Sequence, residues 1–332
     1  MLNVAVIGLG VGKKHADIYD NDSRCELVGI FDFDSKKINW VKKKYPGIRI
    51  YNNDSEIFND ENIDVVSIAS YDNYHCKQIL KALENNKHII VEKPICINEA
   101  ELMRITEKKA QKKRIKFSSN LILRSNKVMK TLKSDIKSSS FGDLYYAEAD
   151  YLWGRIGKLD GWRSEMDYYS IILGAAIHMI DLVMWIFDSK PVSVYALENK
   201  IGSKNNKLKF GSFAVILLTF PNNLIVKITG NGPCVHPHFH EIKIFGTEKT
   251  FIHNHEESYY LSRGKNDFKK ITMKNQNSYN SNKNSIITSF IDSIIDPNSK
   301  PIVKQNEIFD VMSVCFAAEK SIKTEKTVKI KY

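Results

Sequence analysis

The segment VAVIGLGVG at residues 4–12 constrains the fold more than any other part of the sequence. Its apolar run does not alternate with polar residues, which predicts a strand that is buried on both faces. Three glycines, Gly8, Gly10 and Gly12, end the strand, and a helical pattern follows at once. Glycine permits both a tight turn and a close helix approach. A strand, a glycine turn and a helix in this order predict the first unit of a parallel sheet.

The pattern repeats over residues 1–121. Strands are predicted at 2–8, 26–32, 48–51, 64–69, 88–92 and 115–119. Helices are predicted between them at 12–20, 35–44, 54–59, 74–86 and 98–113. Strict alternation of strands and helices predicts an α/β domain with a doubly wound parallel sheet.

From residue 122 to residue 332 the pattern changes and predicts an α+β domain with an open, mostly antiparallel sheet. Its strands are predicted at 144–153, 192–200, 210–219, 224–231, 239–246 and 249–253. Helices are predicted at 125–138, 170–187, 284–295 and 305–322, of which the last can pack back on the first domain. The segment PNN at 221–223 predicts a hairpin turn, and the polar segment 274–284 predicts a loop.

The glycine turn also fits the context of a dinucleotide fingerprint, because it lies between a strand and a helix. We therefore expect Gly8, Gly10, Val11 and Gly12 to lie against a pyrophosphate, although the third glycine comes one residue earlier than in G-x-G-x-x-G. Asp32 ends the second strand twenty residues after Gly12, where a carboxylate accepts ribose hydroxyls. NAD is the predicted cofactor. NADP remains the less favoured alternative, since Lys36 or Lys37 can reach a 2′-phosphate.

Composition narrows the partners. The net charge of +11 comes mostly from lysines spread along the chain, and the lysine runs fall at predicted helix ends, which indicates solvated faces and no nucleic-acid partner. A phosphorylated substrate is compatible with this charge. No stretch of ~18 apolar residues is present and the N-terminus lacks a signal-peptide pattern, so we expect no membrane association and a cytoplasmic location.

Several longer motifs resemble the glucose–fructose oxidoreductase/inositol dehydrogenase (Gfo/Idh/MocA) family of NAD(P)-dependent oxidoreductases, and the resemblance covers nearly the whole chain. The motifs are GLGVGKKHA (8–16), IASYDNYH (68–75), KHIIVEKP (87–94), FSSNLILR (117–124), GWR (161–163) and LGAAIHMIDLVMW (173–185). KHIIVEKP is the most specific of them.

The resemblance implies an N-terminal Rossmann domain and hydride transfer between nicotinamide and a secondary alcohol or ketone of a sugar, nucleotide sugar or cyclitol. Independently of the resemblance, the open face of the C-terminal sheet has no other cover, so we expect a homodimer or homotetramer that forms through it. The alternative is a catalytically inactive, NAD(P)-binding regulatory protein of the same fold. Cofactor contacts are implied for a further set of residues: Ser70, Tyr71, Asn73, His75, Glu92, Lys93, Asn120, Trp162 and Arg163.

For catalysis the resemblance points to Lys93, with a cis Lys93-Pro94 peptide, and to His178 on the substrate helix. A base is required because hydride loss from a carbinol leaves a proton on its oxygen. Asp181, one helical turn beyond His178, either orients the imidazole and contacts substrate or makes a packing hydrogen bond. The family often has Asp four residues before this histidine, where the chain has Gly174. Lys93 and His178 would then share proton transfer, with Tyr168 or Tyr169 nearby.

Two features remain open on sequence alone. Arg163 either reaches the cofactor beside Trp162 or holds a substrate anion. In HPHFH (236–240), strand alternation would place His236, His238 and His240 on one face. A substrate pocket that includes His238 is favoured over a metal site, since the inferred reaction needs no metal, and a structural role is the other alternative.

Overall fold

The structure is a computed structural model that describes residues 1–264, 268–273 and 283–332. The loop predicted at 274–284 therefore lies largely outside the described residues. The chain divides into two compact units. The first holds Met1–Ile122 and Asn280–Phe309, and the second holds Leu123–Tyr279 and Asp310–Tyr332.

The first unit contains a parallel sheet with six strands among its described residues. The strands are β1 (Leu2–Ile7), β2 (Cys25–Phe31), β3 (Arg49–Ile50), β4 (Val65–Ile68), β5 (His88–Val91) and β6 (Phe117–Ser119). Their order is β3-β2-β1-β4-β5-β6, and every pairing is parallel. This confirms the doubly wound sheet, whose strand order reverses beside β1, where such folds bind their ligands.

Helices follow the strands of this sheet: α1 (Gly12–Asp20), α2 (Ser35–Lys44), α3 (Asp54–Asn59), α4 (Asp72–Glu84) and α5 (Glu99–Gln111). Asp34 and Asn98 are the N-cap residues of α2 and α5. Their side-chain oxygens accept hydrogen bonds from the backbone N–H groups of Lys36 and Glu101, which stabilises the start of each helix. Val4–Ile7 are fully buried, as expected for a strand that is covered on both faces.

The second unit contains a larger sheet, with nine strands in the part of the chain that the structure describes. They are β7 (Leu144–Leu152), β8 (Ser193–Asn199), β9 (Phe213–Thr219), β10 (Ile225–Asn231), β11 (Phe239–Gly246), β12 (Lys249–His253), β13 (Ser258–Arg263), β14 (Phe268–Met273) and β15 (Val328–Lys329). Their order is β14-β13-β12-β11-β7-β10-β9-β8-β15. Only the pairing of β7 with β10 is parallel among those described, so the predicted mostly antiparallel sheet is confirmed.

The remaining helices are α6 (Lys127–Lys137), α7 (Trp162–Glu165), α8 (Ile177–Phe187), α9 (Lys283–Ile295) and α10 (Gln305–Thr324). Helix α8 is almost wholly buried and contacts β7 and β10. It therefore covers one face of the second sheet. No helix in the described ranges is long and apolar enough to cross a bilayer.

The sequence predicted most elements but not all of them. The PNN turn is confirmed, since β9 and β10 pair antiparallel and Phe220 N–H donates to Leu224 O across the turn. Strands β13, β14 and β15 were missed. β14 is almost fully exposed and rich in lysine, so it carries no apolar alternation to recognise. The helix predicted at 170–187 begins as a π-helical segment, Ile172–Ala176, before α8.

Candidate active site

The three glycines of the first turn differ in what surrounds them. Gly8 has a φ of +86°, and a Cβ there would lie 2.6 Å from the Ala69 carbonyl carbon. A Cβ on Gly12 would lie 3.1 Å from Val6 Cγ1, so this glycine lets α1 pack closely on β1 and β4. A Cβ on Gly10 would meet no protein atom within 4 Å. The first and third glycines are thus required by the protein itself, and the second faces open space.

The N-terminus of α1 is uncapped. Val11 is its N-cap residue, makes no side-chain capping hydrogen bond and is half exposed. The first N–H groups of a helix have no intrahelical acceptor and carry the positive end of the helix dipole. Beside the open space at Gly10, this helix end is suited to bind an anionic group such as a phosphate.

Asp32 is held rigidly at the end of β2. Its Oδ2 accepts the Leu9 N–H at 2.6 Å, its Oδ1 accepts the Asp34 N–H at 2.8 Å, and Lys37 Nζ lies 3.3 Å from Oδ2. The carboxylate therefore joins the glycine turn to the start of α2. Oδ1 keeps acceptor capacity for a further donor.

The segment after β4 divides into two parts. Ser70 Oγ donates to Gln78 Oε1 at 2.6 Å, and the Tyr71 ring lies edge-on to Phe33 at 5.4 Å. Asn73 is exposed and lines a groove between α4 and α5. His75 is fully buried, with Nδ1 2.7 Å from Pro94 O and Nε2 3.2 Å from Ser70 O. The buried His75 ring therefore holds the loop after β4 to the loop after β5, and its contact with a cofactor stays a prediction.

A chain of buried polar side chains crosses the carboxyl ends of β4, β5 and β6. His15 Nδ1 lies 2.8 Å from Ser67 Oγ, and His15 Nε2 lies 3.2 Å from Glu92 Oε1. Asn120 Nδ2 donates to the same Glu92 oxygen at 2.6 Å. The buried Asn120 Oδ1 has no hydrogen-bond partner. A buried acceptor without a hydrogen bond costs free energy because it has lost its bonds to water. Asn120 Oδ1 is therefore a position where an N–H group of a ligand could bind favourably.

The polar chain keeps Glu92 ionised. Burial alone would raise its pKa, but hydrogen bonds from His15 and Asn120 and the charge of Lys93 hold the pKa of Glu92 below its ordinary value. The next peptide, Lys93-Pro94, is cis, as the resemblance implied. A fixed negative charge therefore lies immediately before Lys93 in the chain.

In the second unit, His178 belongs to a cluster of rings. Its imidazole stacks on Tyr151 at 5.7 Å with an interplanar angle of 8°. Tyr151 also contacts His238 at 5.2 Å and His240 at 4.7 Å, and those two imidazoles lie 5.0 Å apart. We call Tyr151, His178, His238 and His240 the ring cluster.

Two members of the ring cluster favour their uncharged forms. Burial and then the positive charge of Arg155 lower the pKa of His238 to about 4. Burial raises the pKa of Tyr151 to about 12. Neutral imidazoles and phenols both donate and accept hydrogen bonds, which suits recognition of hydroxyl groups.

The expectation that His236, His238 and His240 share one strand face is wrong. β11 begins only at Phe239, and His236 is exposed beside His255, with the two ring centroids 5.6 Å apart. Within the described ranges, no group of three or more potential metal-binding side chains is assembled.

Asp181 forms a buried ion pair that the sequence did not predict. Arg124 Nε and its NH2 group donate to Asp181 Oδ1 at 3.0 and 2.6 Å, and both side chains are about 2% exposed or less. The pair links the segment before α6 to α8. Packing, which was one of the two roles considered for Asp181, is therefore present in the structure.

Arg163 lies among aromatic rings of its own unit. Its guanidinium is 4.2 Å from the Trp162 ring, 5.1 Å from the Trp153 ring and 6.0 Å from the Tyr169 ring. Its buried Nε has no hydrogen-bond partner. Aromatic faces stabilise a cation without neutralising it, so Arg163 retains its charge for an anion or a hydroxyl oxygen.

Sequence reasoning missed His15, Tyr151 and Arg124, and it named His240 without the contact to Tyr151. His15 follows the glycine turn in GKKHA, but nothing in the sequence connects it with Glu92. Tyr151 and His240 meet because β7 and β11 pair with these two residues opposite each other. Predicting this contact would have required the register of β7 with β11, which sequence spacing does not reveal.

Two family models match the chain. One, described as an oxidoreductase family with an NAD-binding Rossmann fold, matches residues 2–120. The other, the GFO/IDH/MocA C-terminal domain, matches residues 129–252. Together they cover most of both units.

The matching curated proteins include dehydrogenases of cyclitols. Myo-inositol 2-dehydrogenase of Thermotoga maritima is 24% identical over 268 residues, which is 77% of this chain and 77% of that protein. Inositol 2-dehydrogenase/D-chiro-inositol 3-dehydrogenase of Lacticaseibacillus casei is 25% identical over 58% of this chain, which spans only 55% of that relative. The crystal structure of scyllo-inositol dehydrogenase from Lactobacillus casei with bound NAD(H) and scyllo-inositol superposes with a TM-score of 0.81. It is 18% identical, with 99% of each chain covered, and so shows a shared fold.

Proposed function

This chain belongs to the GFO/IDH/MocA family of oxidoreductases, and from that premise we propose that it is an NAD(P)-dependent dehydrogenase of a cyclitol or sugar. It would transfer a hydride between the nicotinamide and a CH–OH carbon. The observation that carries this function is the buried polar chain. His15 and Asn120 fix the ionised Glu92 directly before Lys93, and Asn120 Oδ1 is left without a partner.

The residues of the first unit fit a dinucleotide. Gly10 and the uncapped start of α1 would hold the pyrophosphate, and Asp32 would accept a ribose hydroxyl. Asn120 Oδ1 would accept the N–H of a carboxamide. When bound, the cofactor supplies the hydride acceptor or donor. The residues of the chain would bind the substrate and transfer the proton.

Lys93 is the proposed base. As the carbinol carbon loses hydride, the hydroxyl proton must leave, and a neutral lysine amine can accept it. The resulting ammonium is stabilised by the neighbouring Glu92 carboxylate, whose pKa is lowered in part by the charge of Lys93. In the opposite direction the Lys93 ammonium would return the proton to the oxygen of a ketone.

His178 is the proposed second contact with the substrate. Stacking on Tyr151 fixes the plane of its ring, and the ring cluster offers neutral donors and acceptors to a polyhydroxylated molecule. His238 belongs to the same cluster and is proposed to bind substrate beside it. Arg163, with its unpaired Nε, is proposed to bind a substrate or cofactor oxygen.

NAD is proposed over NADP. The buried Asp32 carboxylate would repel a 2′-phosphate, and like charges brought together at a binding site cost several kcal/mol. Lys37 offsets only part of that charge, since its Nζ already lies 3.3 Å from the carboxylate. We expect kcat/KM with NAD to exceed that with NADP by about 10-fold or more. Asp32→Ser should lower this NAD/NADP ratio of kcat/KM. A wild-type preference for NADP would contradict this assignment.

A homodimer or homotetramer through the second sheet is also proposed. On its open face Lys227 lies 3.1 Å from Glu148, and Glu148 lies 3.5 Å from Lys243. Leu217 and Ile225, 43% and 48% exposed, flank these charges. A charged centre with an apolar surround suits a self-complementary contact. Light scattering should show a dimer or larger for the wild type and a smaller species for Leu217→Arg, whereas a wild-type monomer would refute it.

The activity is tested by NADH formation over a panel of inositols, methyl glucosides and nucleotide sugars. Wild type should turn over at least one member. Lys93→Ala should lower kcat by about 10²–10⁴-fold, the range for losing a general base, with NADH affinity nearly unchanged. Lys113→Ala, at an exposed lysine of the same unit, is the matched control.

The outcomes separate the candidates. Unchanged turnover in Lys93→Ala would refute the role of Lys93. NADH binding without turnover of any panel member would instead support the catalytically inactive regulator.

A further inference from the structure

Gly174 lies in the π-helical segment before α8, and the Tyr169 side chain fills the space where its side chain would be. A Cβ at Gly174 would lie 2.8 Å from Tyr169 Cζ and 3.1 Å from Cε2, and would come closest to the hydroxyl oxygen. Tyr169 is 3% exposed. These separations are shorter than carbon atoms tolerate, so the position of the Tyr169 ring requires glycine at 174.

This arrangement brings a phenol close to the segment that carries His178. Gly174 belongs to the π-helical segment and His178 to the first turn of α8. Four residues amount to about one turn in either kind of helix, so the two positions lie on neighbouring turns of nearly the same side. The Tyr169 hydroxyl occupies the first position, and the His178 imidazole occupies the second.

A continuous series of contacts supports the same placement. The Tyr169 ring lies 6.0 Å from the Arg163 guanidinium, and that guanidinium lies 5.1 Å from the Trp153 ring. Trp153 contacts Tyr151 at 6.0 Å, and Tyr151 stacks on His178. Within this series the buried Arg163 Nε has no hydrogen-bond partner and is a donor that a bound hydroxyl could use.

We propose that Tyr169 is a substrate-binding residue whose hydroxyl bonds to a substrate hydroxyl next to the reacting carbon, and that Gly174 is the position that admits it. This inference rests on the proposed function. A phenol differs from a carboxylate at this place because it is neutral, donates as well as accepts, and adds no negative charge beside His178. The subsite therefore selects uncharged polyols by hydrogen bonding.

The decisive experiment pairs an enzyme hydroxyl with a substrate hydroxyl. It compares wild type with Tyr169→Phe on the panel member that the wild type oxidises fastest and on each of its mono-deoxy analogues. For one deoxy position, wild type should discriminate by about 10-fold or more in kcat/KM, as sites built to hydrogen-bond a hydroxyl do. Tyr169→Phe should lose most of that discrimination and leave discrimination at the other positions unchanged.

Tyr260→Phe is the matched control, since Tyr260 is a buried tyrosine of the same unit whose hydroxyl donates to Asp135 at 2.6 Å. It should keep the wild-type pattern. If Tyr169→Phe lowers kcat/KM equally for all analogues, or changes none, Tyr169 does not bind the substrate. If wild type oxidises no panel member, the proposed function itself fails, and this inference fails with it.

The packing premise has a separate test that does not depend on turnover. Gly174→Ala should lower the Tm of the wild type by several degrees, and should lower it little in a Tyr169→Ala background, where the space is vacant. Equal losses in both backgrounds would show that the two positions are not coupled, and would overturn the proposed role of Gly174.

Discussion

The two units present opposite electrostatic designs around their candidate functional groups. In the first unit, Glu92 is kept ionised by His15 and Asn120. In the second unit, two members of the ring cluster around His178 favour their neutral forms, because the pKa of His238 falls to about 4 and that of Tyr151 rises to about 12. The first arrangement fixes a charge, and these two rings avoid one.

The difference fits two separate tasks. A fixed carboxylate before Lys93 favours proton transfer, since it stabilises the ammonium form in place and needs no reorganisation when the reaction occurs. Neutral rings favour recognition of hydroxyl groups, since they offer hydrogen bonds without the cost of stripping water from an ion.

The largest expected effect is a loss of stability when the buried Arg124–Asp181 ion pair of the second unit is broken. Asp181→Asn removes the carboxylate charge that the buried Arg124 guanidinium contacts. We expect a loss of about 3–5 kcal/mol in the free energy of unfolding, measured by urea denaturation followed by tryptophan fluorescence. Asp188→Asn changes a carboxylate that is 94% exposed, also in the second unit, and should cost little. Equal losses of unfolding free energy in the two variants would show that the buried ion pair does not stabilise the fold more than an exposed carboxylate does.

A second prediction tests the charge of the first unit. His15→Leu removes one of the hydrogen bonds that hold the pKa of Glu92 down. The carboxylate would then protonate at a higher pH, so the acid limb of kcat/KM should move upward. A hydrogen bond to a charged group is worth about 1.5–3 kcal/mol, which corresponds to roughly 1–2 pH units.

Ser67→Ala serves as the graded control, because Ser67 contacts His15 at Nδ1, the ring nitrogen that does not face Glu92. Its acid limb should shift less than that of His15→Leu. An acid limb that stays in place in His15→Leu would mean that the polar chain does not set the charge at Glu92.

The smallest effect concerns a neutral histidine elsewhere in the second unit. Burial lowers the pKa of His253 to about 4, below its ordinary 6.5. Below pH 6.5 this histidine binds a proton in the unfolded chain but stays neutral in the folded chain. The free energy of unfolding therefore falls as the pH decreases from 6.5 to 4. Replacing His253 and its partner Ser258 together, by Phe and Ala, should reduce this loss by on the order of 1–2 kcal/mol. Denaturation at pH 7 and pH 4.5 measures it.

The exposed His255 provides the control, since His255→Gln should keep the wild-type dependence on pH. A double variant that loses as much stability as the wild type would show that His253 protonates in the folded state.

The sequence reveals the first unit better than the second for a physical reason. The strand before Gly8 and the glycine turn are local features that a short motif carries, so the parallel sheet was predicted from the residues, whereas the cis Lys93-Pro94 peptide was implied by the resemblance. His15 reaches Glu92 only after α1 packs on β4, the strand beside β5. Tyr151 and His240 meet through the register of two strands about ninety residues apart. The pairing of Tyr169 with Gly174 depends on space that only the folded chain defines.

The transfer of deuterium tests the central claim most directly. The panel member that the wild type oxidises is prepared with deuterium on its reacting carbinol carbon and incubated with NAD in ordinary water. We predict that NMR will find the deuterium on C4 of the reduced nicotinamide, and that Lys93→Ala will slow its appearance by about 10²–10⁴-fold. Reduced cofactor without deuterium, or substrate oxidation that needs no cofactor, would contradict the assignment of a hydride-transferring dehydrogenase.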